Sequence, residues 1–170
     1  MKQILALLLF AGSVFCATAQ SGKTMTPLQF SDNIVNRIDS IYQLGREWGV
    51  LFNKAYTEKN FSILESQRIR MDEFLQKQIA SLKAMKVVGK GGNDLHLEAI
   101  RFMEYERSLV VLAFKPFEGL KTGYTDEQLQ KAVAELKKMA EEETGKLALL
   151  QQAQSIYAEK NGFALDAADF

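Results

Sequence analysis

Three charged residues fall where an apolar helix face would otherwise continue. Arg68 lies between Leu64 and Met71, while Glu106 and Glu143 lie near the middles of two later apolar series. Burying such groups is costly unless they are paired or bind an ion. One interpretation is a buried polar cluster that binds an ion or a small ligand. The simpler one is that the stripes drift around straight helices and long side chains carry their charge to water.

The sequence contains few residues that could ligate a metal ion or a haem iron. The chain has one histidine, His96, and lacks the Glu-x-x-His motif that di-iron bundles place on two helices. Its single cysteine excludes C-x-x-C metal sites and covalent haem attachment. A haem held by His96 and a methionine is a formal alternative, but methionines at helical spacing usually fill a core. We expect no cofactor, no metal and no enzymatic activity, and an exposed His96.

A glycine-rich loop, Gly89-Lys90-Gly91-Gly92, precedes a predicted helix and could suggest phosphate binding. It lacks the spacing of a nucleotide-binding loop and has no strand before it. We therefore interpret it as a flexible turn.

An apolar connection forms a second candidate site. Phe114, Phe117, Leu120 and Tyr124 are concentrated between the third and fourth predicted helices. If exposed, they would form a sticky tip for a protein partner. The favoured alternative is that they cap the end of the core, with Tyr124 forming a hydrophobic staple.

Apolar spacing and capping signals predict four helices. They cover residues 26–57, 62–86, 93–116 and 125–161. Thr26 with Gln29 and Thr125 with Gln128 have the spacing of capping boxes. Asn60 is expected to adopt the left-handed turn between the first two helices.

The connections between these helices are short, which favours antiparallel neighbours. We therefore predict an all-α fold, an up-down-up-down four-helix bundle with long helices, over residues 26–162. A looser bundle broken at Gly45 or Gly145 is the alternative. Gly45 and Gly49 could also allow a neighbouring helix to approach closely.

The first nineteen residues have the layout of a secretory signal peptide. Met1-Lys2 is followed by an apolar run and by Ala17-Thr18-Ala19, which predicts cleavage after Ala19. Cys16 offers an alternative, lipid attachment as in bacterial lipoproteins, although Phe15 is a poor residue to precede a lipidated cysteine. Residues 20–25 would then be a linker and residues 163–170 a C-terminal tail.

The composition gives little indication of a partner. The formal net charge of the 170 residues is zero, so neither nucleic acid nor an anionic membrane surface is expected to bind. No transmembrane helix is expected in the mature chain. Its partner would be an unknown protein or an envelope component.

Several segments resemble a family of small exported, surface-associated bacterial helical proteins of unknown function. They are Ser31-Asp32-Asn33-Ile34-Val35, Thr125-Asp126-Glu127-Gln128-Leu129 and the end from Tyr157 to Phe163, within residues 26–165. The resemblance implies a location in the envelope or at the surface and carries over no catalytic residue.

Three functions are consistent with these patterns. The leading hypothesis is a non-enzymatic binding or structural module of the periplasm or cell surface, with lipid anchoring to the outer membrane as the alternative location. The second hypothesis is a periplasmic chaperone or stress-response binder with an exposed apolar groove. The third is a cofactor- or metal-binding bundle.

Overall fold

The computed structural model describes residues 24–120 and 123–165. The predicted signal peptide, Cys16 and most of the predicted linker and tail lie outside the described residues.

All regular structure in the described residues is helical, which confirms the predicted all-α class. The helices are α1 (Pro27–Glu58), α2 (Glu65–Lys83), α3 (Gly92–Leu109), α4 (Lys115–Glu118) and α5 (Asp126–Asn161). A 3₁₀ turn, Phe61–Leu64, leads into α2, and a π-helical turn, Val110–Phe114, joins α3 to α4. Because α3, the π-helical turn and α4 follow one another without a break, the described chain forms four helical rods.

Each rod packs against at least two others. Helix α3 contacts both α2 and α5, and α1 also contacts both α2 and α5. The apolar faces therefore enclose one core that runs along the bundle. This packing is compatible with the predicted up-down-up-down order.

The capping signals of the two long helices are confirmed. The backbone N–H of Gln29 donates to Thr26 Oγ1 at 3.2 Å, and that of Gln128 donates to Thr125 Oγ1 at 3.2 Å. Both boxes are reciprocal, so two otherwise unpaired backbone donors are satisfied at each start. Helix α5 ends at Asn161 and is followed by Gly162, whose φ of 72° is left-handed.

The connection between α1 and α2 differs from the prediction. Lys59, with a φ of 51°, adopts the left-handed conformation expected of Asn60. Asn60 instead accepts a hydrogen bond from the backbone N–H of Ser62 at 3.3 Å and so starts the 3₁₀ turn. Helix α2 therefore begins at Glu65, three residues later than predicted.

Pro116 does not end the third rod, as the sequence had suggested. The π-helical turn interrupts the regular hydrogen-bond ladder, and Pro116 falls in the first turn of α4. A missing backbone N–H is tolerated there. The rod consequently continues to Glu118.

Neither Gly45 nor Gly145 breaks its helix, so the looser bundle is wrong. Helices α1 and α5 are continuous through these positions. A Cβ atom at Gly45 or Gly49 would meet no heavy atom within 4 Å, so neither glycine is required for close helix packing.

The buried face of α5 departs in its first half from the stripe that the sequence predicts, which runs through Leu129, Val133, Leu136, Ala140, Leu147, Leu150 and Tyr157. Ala132 and Met139 are buried, whereas Val133 is 40% exposed; Leu150 and Tyr157 are buried as predicted. The stripe that faces the core passes through Met139, the half-buried Glu143 and Leu150, and reaches the buried Gln154. None of the described helices combines the length and apolar character needed to cross a membrane.

Candidate functional site: a pocket with a buried carboxyl group

A pocket of about 300 Å³ lies in the middle of the bundle, and all four rods contribute to its wall. Its lining includes Tyr42 and Gly45 of α1, Met71 of α2, Glu106 of α3, Phe114 of the π-helical turn and Glu143 of α5. The structure thus brings together Glu106 and Glu143, two of the three charged residues singled out in the sequence. We call this space the Glu106 pocket.

Helix periodicity places these side chains. Glu106 follows the buried Phe102 and Met103 by four and three residues, so it lies on the core face of α3. Glu143 follows the buried Met139 by one turn of α5. Gly45 carries no side chain, and a Cβ at this position would stand in open space. The pocket exists partly because α1 has a glycine where a larger side chain could fit.

Glu106 is the most unusual group in the pocket. Its exposed fraction is 6%, and its Oε1 atom is buried without a hydrogen-bond partner. Burial raises the pKa of Glu106 to about 8, and the negative charge of Glu143 adds to the rise. At neutral pH this carboxyl group is therefore mostly protonated, and it can donate its proton to Glu143, a hydrogen bond that also favours the protonated form.

Burial and the nearby carboxylates also raise the pKa values of two tyrosines, Tyr42 and Tyr105. Burial, followed by the charges of Glu143 and Glu106, raises the pKa of Tyr42. Burial and the charge of Glu142 raise the pKa of Tyr105 to about 12, and its hydroxyl donates to the backbone oxygen of Met139 at 2.6 Å. Both phenols remain neutral at physiological pH, so the groups that can carry charge in the pocket lining are Glu106, Glu143 and the exposed Arg46.

Arg68 does not join Glu106 and Glu143, which corrects the predicted three-residue cluster. It pairs instead with Glu118 of α4, and the two side chains are 12% and 13% exposed. Because the rod continues past Pro116, Glu118 comes within reach of α2. The guanidinium is neutralised there and leaves the carboxyl groups of the pocket without this cation.

The predicted apolar tip is not exposed. Phe114, Phe117 and Leu120 are buried, with Phe117 fully so, and Tyr124 is half-buried. These side chains join an aromatic cluster at one end of the core, where Tyr124 meets Phe61 edge to face at 5.4 Å. The residues therefore cap the core, in agreement with the favoured alternative, because the continued rod folds them against α1 and the 3₁₀ turn.

The aromatic cluster reaches the pocket through the π-helical turn. Phe114 stacks on Trp48 with ring centroids 3.9 Å apart and an interplanar angle of 13°. Trp48 Nε1 is the second buried side-chain atom without a partner in the described residues. π-Helical turns are frequent at functional sites, and this one contributes Val110 and Phe114 to the pocket wall.

The other sequence candidates have structural roles. His96 is half-buried, and its Nε2 lies 2.6 Å from the backbone oxygen of Leu82, so the expectation of an exposed histidine is wrong. The glycine-rich loop is attached to α5 through two hydrogen bonds of Asn161. Its Nδ2 donates to the backbone oxygen of Lys90 at 3.0 Å, and its Oδ1 accepts from the backbone N–H of Lys90 at 3.0 Å. Gln154 donates to Ser31 Oγ at 3.1 Å within the core.

A larger recess, of about 720 Å³, lies at the aromatic end beside Tyr56, Gly123 and Tyr124. No orphaned polar group of the described residues faces it. Within residues 24–120 and 123–165 no three His, Cys, Asp or Glu side chains are grouped to hold a metal ion. The Glu106 pocket is therefore the best candidate site in this part of the chain.

Some residues of the pocket, Tyr42 and Arg46 among them, were not predicted from the sequence. Tyr42 and Arg46 lie on either side of Gly45 within one helical turn, and their proximity to Glu106 depends on how α1 packs against α3. The sequence signal that could have indicated them was the glycine on an apolar stripe opposite two misplaced carboxylates. Comparisons of the chain with protein families, curated protein sequences and solved structures gave no match.

Proposed function

We propose that this chain is a non-enzymatic binding protein, exported to the bacterial envelope or surface, whose ligand occupies the Glu106 pocket. The bundle would have up-down-up-down order. All four rods contribute residues to the wall of the pocket. The observation that carries the proposal is that Glu106, a carboxyl group whose Oε1 atom is buried without a partner, lines one pocket together with Glu143.

The energetics favour a ligand. A buried polar atom left unpaired costs about 1–3 kcal/mol, and an apolar residue of similar size would avoid this cost. A carboxyl group beside an empty volume is hard to explain as a contribution to stability alone. A pocket of about 300 Å³ is at the lower end of the range typical of small-molecule sites.

The proposed location rests on the predicted signal peptide and on the resemblance noted above. Cleavage after Ala19 would remove Cys16, so the exported protein should begin at Gln20 and have the intact mass of residues 20–170. An exported chain that begins at Cys16 and carries added lipid mass would instead place the protein on a membrane anchor.

Two variants of α1 test the binding function. Gly45→Leu would fill the pocket, whereas Gly49→Leu makes the same change one turn away on the same helix, outside the pocket lining. Both replace a helical glycine with a better helix former, and neither added Cβ meets a heavy atom within 4 Å. Thermal unfolding of both variants would establish that they fold.

Mass spectrometry under non-denaturing conditions then reports the ligand directly. Protein purified from the envelope should carry a non-covalent small molecule in the wild type and in Gly49→Leu, but not in Gly45→Leu. If all three proteins show the mass of the bare polypeptide, or if the bound mass survives in Gly45→Leu, the pocket is not the ligand site.

The chaperone alternative receives less support. It needs a continuous exposed apolar groove, but the exposed large apolar side chains are distributed over α1, α2, α3, the π-helical turn and α5. Examples are Val50, Ile69, Leu97, Leu112 and Leu149. Single apolar residues dispersed in this way are normal on protein surfaces.

A further inference from the structure

We infer that the ligand of the Glu106 pocket is a small organic ammonium ion with an apolar substituent, held by Glu106 and Glu143. This inference rests on the proposed binding function and specifies its ligand class. It begins from the geometry of two neighbouring carboxyl groups, one of them nearly fully buried, at the wall of a pocket that is otherwise mostly apolar.

The two carboxyl groups define one end of the ligand. Carboxyl oxygens accept hydrogen bonds, so the ligand should present N–H or O–H donors to Glu106 and Glu143. A hydrogen bond between a charged donor and a carboxylate is roughly twice as strong as one between neutral groups. With Glu143 lining the same pocket, a positively charged donor gains from both acidic groups, whereas an anion would be repelled.

The remaining wall defines the other end. Ile41, Met71, Leu109 and Val110 provide aliphatic surface, and Phe114 and Tyr42 provide aromatic rings. Aromatic rings attract organic cations, and the aliphatic side chains favour a hydrocarbon substituent. A bare divalent metal ion would leave this apolar volume unused, and a calcium ion would find two carboxylates where it usually takes about six to eight oxygen ligands.

The charges around Glu106 are few. The titratable or charged side chains that line the pocket with it are Tyr42 and Arg46 of α1 and Glu143 of α5, and α2 contributes the neutral Met71. Arg46 is exposed, so solvent and salt screen its repulsion of a cation. Arg68, the one cation of the predicted cluster, pairs with Glu118 instead.

Binding of the ammonium ion should release a proton. At neutral pH the buried Glu106 carries a proton, which the incoming N–H donors would displace into solvent, leaving a carboxylate against the ammonium group. Affinity should therefore rise by up to about tenfold per pH unit from pH 6 to 8 and then level off. This pH dependence distinguishes an ammonium ligand from a neutral one.

The experiment titrates the purified chain with benzylammonium and, as its neutral counterpart, with benzyl alcohol. Isothermal titration calorimetry at pH 6, 7 and 8, in buffers of different ionisation enthalpy, gives affinity and proton release together. We expect benzylammonium to bind at least tenfold more tightly than benzyl alcohol at pH 8, with release of close to one proton at pH 7.

Three variants test whether benzylammonium affinity and proton release depend on Glu106 and on the pocket. Glu106→Gln keeps the shape of the side chain but cannot become charged, so it should lower benzylammonium affinity at pH 8 by about tenfold or more and abolish proton release. Gly45→Leu should abolish binding, and Gly49→Leu should bind like the wild type.

The outcomes separate the two proposals. If both compounds bind with similar affinity and Gly45→Leu abolishes both, the ammonium inference is overturned while the pocket remains a ligand site. If neither compound binds and the envelope-purified protein carries no molecule that Gly45→Leu removes, both proposals fail. Benzylammonium binding without pH dependence, or unchanged by Glu106→Gln, would also overturn the inference.

Discussion

At the scale of single residues, the carboxyl group of Glu106 is the main cost that the fold carries. Its exposed fraction is 6%, and neither a cation nor a hydrogen-bond donor of the described residues reaches Oε1. In this environment the protonated form is favoured, and its pKa is raised to about 8. The sequence indicated that Glu106 and Glu143 fall on core stripes, because helical spacing is visible in the residues themselves.

Replacing Glu106 should change how stability depends on pH. The unfolded carboxyl group loses its proton near pH 4.5 and the folded one near pH 8, so the folded state holds the extra proton between these values. Wild-type stability should therefore fall as the pH rises from about 5 to 8. Glu106→Gln should remove this fall and be more stable than the wild type at pH 8 by about 1–3 kcal/mol.

Urea unfolding at half-unit pH intervals measures this difference. Glu141→Gln, an exposed substitution on α5, is the control and should run parallel to the wild type. Parallel curves for wild type and Glu106→Gln would show that Glu106 is not protonated by burial in the folded protein.

The partner of Arg68 could not be predicted from the sequence. Its position on an apolar stripe predicted a buried partner, but the partner is Glu118, which the sequence placed in a connecting loop. The pairing depends on the π-helical turn, which carries the rod past Pro116. No local pattern marks such a turn, because it arises from how the third rod packs against its neighbours.

The Arg68–Glu118 pair should be costly to break. Arg68→Met would leave the carboxylate of Glu118 mostly buried without its cation, at a cost of about 3 kcal/mol in the free energy of unfolding. The exposed pair Lys83–Glu104, with side chains 53% and 48% exposed, provides the control, and Lys83→Met should cost less than about 1 kcal/mol. Equal losses in chemical denaturation would contradict a buried pair.

At the scale of the elements, helix starts were more predictable than helix faces. The capping boxes at Thr26 and Thr125 are local patterns of four residues, and both form as predicted. The buried face of α5 was less predictable, since Ala132 and Met139 face the core in place of Val133 and Ala140. A 36-residue helix with many alanines offers several similar stripes, and the packing against α3 selects one.

The loop between α2 and α3 is held by the end of α5. Gly89 has a φ of 79°, and a Cβ at this position would lie 2.6 Å from Asn161 Oδ1 and 2.8 Å from the hydroxyl of Tyr157. That hydroxyl donates to the backbone oxygen of Val88 at 2.7 Å. The loop is therefore tied to α5 and cannot be described as a free turn.

Gly89→Ala should thus destabilise the protein more than Gly162→Ala. Both glycines have left-handed backbones, which cost an L-residue about 1–2 kcal/mol, but Gly162 has nothing within 4 Å of an added Cβ. The contacts at Gly89 should add about 1 kcal/mol, because the hydrogen bonds of Asn161 would be disturbed. Thermal or urea unfolding of the two variants measures the difference, and equal losses would show that the loop yields freely.

At the scale of the whole molecule, the four rods enclose one core, and all four contribute to the wall of the Glu106 pocket. The all-α class and the number of rods followed from composition and helix punctuation. Helical spacing put Glu106 and Glu143 on core faces and Gly45 on the stripe of α1, but the space between them depends on how α1 packs against α3 and α5. Phe114, Phe117 and Leu120 are buried at the end of the core, as the favoured alternative predicted.

A crystal structure of the protein purified from its own envelope, without added ligands, would show whether the Glu106 pocket holds a ligand. We predict non-protein electron density larger than water in the pocket, with a nitrogen or oxygen atom within about 3 Å of a carboxyl oxygen of Glu106 or Glu143. A pocket closed by its own side chains, or one that holds only water molecules hydrogen-bonded to Glu106, would contradict it.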